Sequence, residues 1–170
     1  MKLGIMQPYF LPYVGYFQLI SYVDKFVIYD NIKYTKKGWI NRNRMLQNGM
    51  DKTFTIPLVK SSDKLDIIER RVSSDFSRHK LLSQFRGCYL KAPYFGEIWP
   101  IIENIVNFQD DNLFRYIQHS IVLICEYLEI DTAIVVSSDI PANHDMYSQD
   151  RVLSICQEMD AETYINPIGG

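Results

Sequence analysis

The sequence predicts an α/β fold: three layers around a parallel sheet, with an inserted β-hairpin and a helical segment. Three observations lead there. Residues 2–6, 26–30, 133–137 and 163–166 are short, mostly apolar and each followed by a polar loop, as strands buried on both faces of a parallel sheet are. The first thirty residues run strand, short helix, strand, which is a βαβ unit with parallel strands and a right-handed crossover. Between the two ends of the chain, "QNG" at 47–49 is a hairpin signal, because Asn-Gly accepts the positive φ angles of a tight turn.

Element by element, "KLGIMQ" is the first strand. Pro12 suits the first turn of a helix. Tyr16, Leu19, Ile20 and Val23 then recur at spacings of 3, 4 and 7, which is one helical face. "KFVIYD" is the second strand. The hairpin flanks are 39–46 and 53–59, within an insertion at about 38–59. Residues 60–74 form a loop with a short strand at "DIIERRV". Three helices follow at 76–91, roughly 97–107 and 111–128, then a strand at "TAIVVSS". "SQDRVLSICQEMD" is a helix with a Ser N-cap, and "ETYIN" is the last strand, running into "PIGG". Ser-Ser-Asp occurs at 61–63, 73–75 and 137–139 in unlike surroundings, so it marks caps and turns and not a repeat.

The totals set limits. At 170 residues, 47% hydrophobic and 22% charged, the chain has the size of a single domain, 1–170. A net charge of −2 gives no global field that invites nucleic acid or an anionic membrane. The three cysteines, Cys88, Cys125 and Cys156, are far apart and show no metal spacing, so reduced core thiols and a cytoplasmic location are expected. There is no signal peptide pattern and no apolar run of membrane-spanning length. His79, His119 and His144 are scattered, so no metal is expected. No Ser–His–Asp order, Walker loop or GxGxxG occurs. The sequence assigns no oligomeric state.

In parallel α/β sheets ligands bind beyond the carboxyl ends of the strands. Four loops answer that description: 7–13, 30–38, 137–145 and 166–170. In the first, Gln7, Tyr13, Gly15 and Tyr16 surround a helix start whose free N–H groups favour an anion, and Gly15 lets a phosphate approach. Phe17, Leu19 and Ile20 are expected to pack on the sheet, while Tyr13 and Tyr16, three apart, turn their phenols toward the cleft. Asp30 ends the second strand and is the candidate general base; Asn166 would line the cleft. The segment "KYTKKGWINRNR" places Lys33, Lys36, Lys37, Arg42 and Arg44 within twelve residues. Arg42 and Arg44 share one strand face, and Asn41 and Asn43 share the other with Trp39. Such a patch either binds a diphosphate through Lys37 and the arginine forks, with Trp39 stacking on a base or sugar, or is a solvated hairpin face. It is too short for DNA in a chain of acidic balance.

Four motifs carry a resemblance: "IMQPYFLPYVGYFQLI" with "VDKFVIYD", "GWINRNRML" with its "NG", "APYF", and "TYINPIGG". Together, in this order, they resemble the WbqC-like family over nearly the whole chain. That resemblance implies a part in bacterial surface-polysaccharide synthesis, O-antigen and lipopolysaccharide included. It also implies a transferase acting on a nucleotide-linked sugar, with transfer of an amino acid such as glycine. Members of that family usually continue past "NPIGG", so the C-terminal extension is expected to be absent here. A weaker resemblance concerns Tyr13–Tyr16, which falls where nucleotidyltransferases carry His-x-Gly-His. It implies a Rossmann-like sheet and a nucleotide as ligand. Tyr donates one hydrogen bond but cannot carry an imidazolium charge, so adenylyl transfer does not follow. A non-catalytic protein that binds a nucleotide sugar or escorts a partner enzyme of the same pathway stands as the rival.

Overall fold

The computed structural model describes residues 1–167 in two compact units. The first comprises 1–8, 12–32 and 125–167 of the described chain; the second comprises 9–11 and 33–124.

The first unit is a parallel sheet. Strands β1 (Lys2–Met6), β2 (Lys25–Ile28), β5 (Ala133–Val136) and β6 (Thr163–Ile165) are all parallel and lie in the order β5-β2-β1-β6. The Rossmann-like α/β expectation and the four strands it named hold. Period-two alternation decides what each face buries. Leu3, Ile5 and Val27 point to one side, where they meet Ile155 of helix α5 (Ser148–Glu158) and Ile140. Gly4, Phe26 and Ile28 point to the other, toward helix α1 (Val14–Tyr22), whose Tyr16 ring meets Phe26 edge-on at 5.3 Å. Gly4 is small for a reason: a Cβ there would lie 3.1 Å from the Phe26 ring. The chain steps from β1 to β2 to β5 in one direction, then returns to the free side of β1 for β6. The order therefore reverses between β1 and β6, the place where open α/β sheets bind ligands.

The second unit holds the hairpin β3 (Arg42–Gln47) and β4 (Met50–Thr55), antiparallel, with Asn48 and Gly49 both at positive φ as the turn requires. Helices α2 (Arg78–Tyr89), α3 (Phe95–Asn107) and the 113–124 part of α4 (Leu113–Tyr127) complete it. Its core is aromatic. Phe10 meets Phe54 and Tyr116, Phe54 meets Phe85, and Tyr116 meets Phe76.

Some boundaries differ from the sequence reading. β4 ends at Thr55 because Pro57 has no N–H to pair. The expected strand at "DIIERRV" is a 3-10 turn, Ile67–Glu69, closed by a capping box between Asp66 and Glu69, with only isolated bridges beside it. Ser148 is the first residue of α5, not its cap: Tyr147 holds that position and makes no side-chain cap bond.

Candidate functional site

At the carboxyl edge of the sheet, Asp30 follows β2 and is 0% exposed. Its Oδ1 accepts from the Ser137 hydroxyl at 3.2 Å and from the Ser138 backbone N–H at 3.0 Å, which ties the end of β2 to the turn after β5. Its Oδ2 has no hydrogen-bond partner among the described residues. A buried carboxylate oxygen without a donor is costly.

A second cluster stands beside it. The same Ser137 hydroxyl also lies against Asn31 Oδ1, so its one proton is shared between the Asp30 and Asn31 oxygens, and Asn31 Nδ2 lies 3.1 Å from His144 Nδ1. Arg151 Nη2 approaches the same Nδ1 at 3.3 Å, and His144 Nε2 lies 2.9 Å from the Ile140 carbonyl. Amide and guanidinium nitrogens only donate and a carbonyl only accepts, so the imidazole carries its proton on Nε2. Both ring nitrogens are occupied, which makes His144 a brace for the 137–144 loop. Arg151 is held at 5.1 Å over the Tyr29 ring.

At the end of β1 the tyrosines separate. Tyr13 precedes α1 and is 61% exposed. A Cβ at Gly15 would run into the Tyr13 ring, so this glycine is needed for the ring's place against the first turn of α1. Tyr16 departs from expectation. It is 1% exposed, and its hydroxyl donates to the Gln7 carbonyl at 3.1 Å. The helix turns it onto Phe26 and the sheet, so it is a packing residue and not a cleft-facing phenol. Gln7 is half-buried and Asn166 is exposed; they follow β1 and β6, at the reversal of strand order. Ile168–Gly170 of the expected terminal loop lie outside the described residues.

The remaining expected residues, Lys37, Trp39, Asn41, Arg42 and Arg44, belong to the second unit. Arg42 donates from Nε to the Gly38 carbonyl at 2.8 Å and from Nη2 to the Lys37 carbonyl, so its fork is occupied by backbone. Arg44 pairs with Asp51 at 3.0 Å. Trp39 does not side with the asparagines as expected. It stands against both arginines, whose guanidinium carbons lie 5.1 and 4.7 Å from its ring centroid. Asn41 is buried between the Tyr34 hydroxyl and the Ile56 carbonyl, and Asn43 donates to the Phe10 and Leu11 carbonyls. Lys37 is exposed, with φ at +64°.

Sequence reading missed a further feature of this unit, an apolar cavity of about 290 Å³ lined by Leu11, Met45, Phe54, Phe85, Phe95 and Trp99. Ala92, Pro93 and Phe95 of "APYF" line it, so that motif was the available signal. Among the described residues no three His, Cys, Asp or Glu side chains are placed to hold a metal, and no helix is long and apolar enough to cross a membrane. The three cysteines are free thiols, and burial pushes Cys125 up to about 11 and raises Cys156.

Comparison with known proteins gives two matches to the chain. A family model described as "WbqC-like protein family" matches residues 7–170. An uncharacterized protein of Mycobacterium tuberculosis (strain ATCC 25618 / H37Rv), Rv1507c, is 32% identical over 169 residues, spanning 97% of this chain and 71% of that protein. No solved structure matches.

Proposed function

We propose that this chain, which belongs to the WbqC-like protein family, is a transferase of bacterial surface-polysaccharide synthesis that binds a nucleotide-linked sugar at the carboxyl edge of its parallel sheet. The observation that carries the reading is Asp30, buried at the end of β2 with one oxygen held by Ser137 and Ser138 and the other without a donor. Oδ2 takes the proton of an acceptor amine or hydroxyl on the sugar. The acceptor atom forms its bond to the carbonyl carbon of an activated aminoacyl donor such as a glycyl ester, and the bond to the donor's leaving group breaks. Gln7, the N–H groups at the start of α1 and Asn166 surround the strand reversal, where the phosphates belong. Tyr13 offers an exposed ring and phenol there. The bonds of Asn41, Arg42 and Arg44 are made within the second unit, so these residues are left out of the proposed site.

A second reading, a non-catalytic carrier of the same ligand, is favoured by one observation. The thiols of Cys125 and Cys156 are pushed up by burial, so neither is poised as a nucleophile.

A thermal-shift screen with nucleotides and nucleotide sugars, followed by mass spectrometry of the stabilising sugar after incubation with activated amino acids, separates the readings. The transferase reading expects stabilisation and a mass gain. It further expects Asp30→Asn to keep the stabilisation, because the amide oxygen still accepts from Ser137 and Ser138, and to lose the mass gain. Stabilisation without product in the native chain supports the carrier. No stabilisation by any nucleotide or nucleotide sugar defeats both.

A further inference from the structure

We infer that the second unit contains a phosphate-binding site centred on Arg70, separate from the site proposed above and resting on no part of it. Arg70 is 3% exposed. Its guanidinium lies over the Tyr34 ring, with Cζ 4.6 Å from the centroid, and Nη1 donates to the Ser61 hydroxyl at 2.7 Å. Nε and Nη2 have no hydrogen-bond partner among the described residues. These two nitrogens are the side-on fork of the guanidinium, two parallel N–H donors spaced for two oxygens of one oxyanion. Leaving both donors of a buried cation unmet is expensive, so the fork is built for an acceptor that the chain does not supply.

The surroundings favour phosphate over a weaker acceptor. Tyr34 is fixed beneath the guanidinium, because its hydroxyl donates to Asn41, itself bonded to the Ile56 carbonyl. Burial raises the Tyr34 phenol, and the positive charges of Arg70, Arg42 and Lys36 all act on it in the opposite sense. Asp63 pairs with Lys36 at 2.6 Å, Glu69 accepts from the Asp66 N–H at 2.8 Å, and the Asp66 side chain accepts from the Glu69 N–H in the same capping box. Ser61 belongs to the exposed run 60–64, tied down by its own bond to Arg70 and by the exposed Lys36–Asp63 pair.

Calorimetric titration of the full chain at fixed ionic strength, with pyrophosphate, inorganic phosphate and malonate in turn, tests the site. Saturable binding of pyrophosphate or phosphate is expected, tighter than malonate. Arg70→Lys, which keeps the charge and loses the fork, should weaken it at least about tenfold, the factor of one charge-assisted hydrogen bond. The Arg70 Nε–H resonance of the native chain should shift on pyrophosphate addition, a readout that needs no variant to fold. Absence of saturable binding, equal affinity in Arg70→Lys, an unmoved Nε–H resonance, or malonate binding as tightly as phosphate overturns the assignment.

Discussion

The Tyr16 hydroxyl donates to the Gln7 carbonyl at 3.1 Å from inside the core of the first unit. The bond ties the residue after β1 to the first turn of α1. Tyr16→Phe keeps the ring against Phe26 and strands that carbonyl, which should cost about 1 to 3 kcal/mol of folding free energy. Tyr13→Phe, at an exposed ring with no cap bond, should change stability by less than about 0.5 kcal/mol. Urea unfolding of the two variants checks the pair, and equal losses would contradict the division.

Arg42 should behave as a structural residue. Its Nε and Nη2 satisfy the Gly38 and Lys37 carbonyls and its guanidinium stands by Trp39. Arg42→Ala should therefore destabilise the chain by about 1 to 3 kcal/mol, and Arg42→Lys should recover only part of that, since a single ammonium cannot repeat the fork. A change below about 0.5 kcal/mol in urea unfolding would return Arg42 to the solvated hairpin face.

Much of this was legible in the sequence, and the exceptions have physical causes. The four parallel strands were readable because strands buried on both faces are short apolar runs whatever their neighbours. The place of Asp30, just past the second strand, was readable because it ends such a run. Tyr13 and Tyr16 misled because spacing of three implies a shared face only inside a helix, and Tyr13 lies before its first turn. Arg42 misled because its acceptors are carbonyls, one of them presented by Lys37 at positive φ, and side-chain patterns do not report backbone acceptors. Asn31, His144 and Arg151 meet only through the fold, at separations of 113 and 7 residues, so no local spacing announces them.

Alkaline pH should weaken the fold through Cys125. Burial raises the folded thiol from its ordinary 9.0 to about 11. Below the ordinary value both states are protonated and the stabilisation is whole. Between 9.0 and about 11 the unfolded chain binds fewer protons, so stability falls as pH rises. The burial-raised phenol of Tyr116 adds in the same direction above its ordinary 10.0. Thermal unfolding from pH 8 to 11 should show a falling midpoint, with a shallower slope in Cys125→Ala. An unchanged slope would mean the thiol is not the titrating group.

The central claim is that the ligand sits beyond the carboxyl ends of the parallel strands. Amide NMR of the uniformly labelled chain, titrated with the nucleotide sugar that stabilises it most, tests this directly. The account predicts saturable shifts at Gln7, Val14, Gly15, Asn31, Ser138 and Asn166, the amides around the ends of β1, β2, β5 and β6. Shifts confined to the hairpin amides of 42–55, with those six unmoved at saturation, would contradict it.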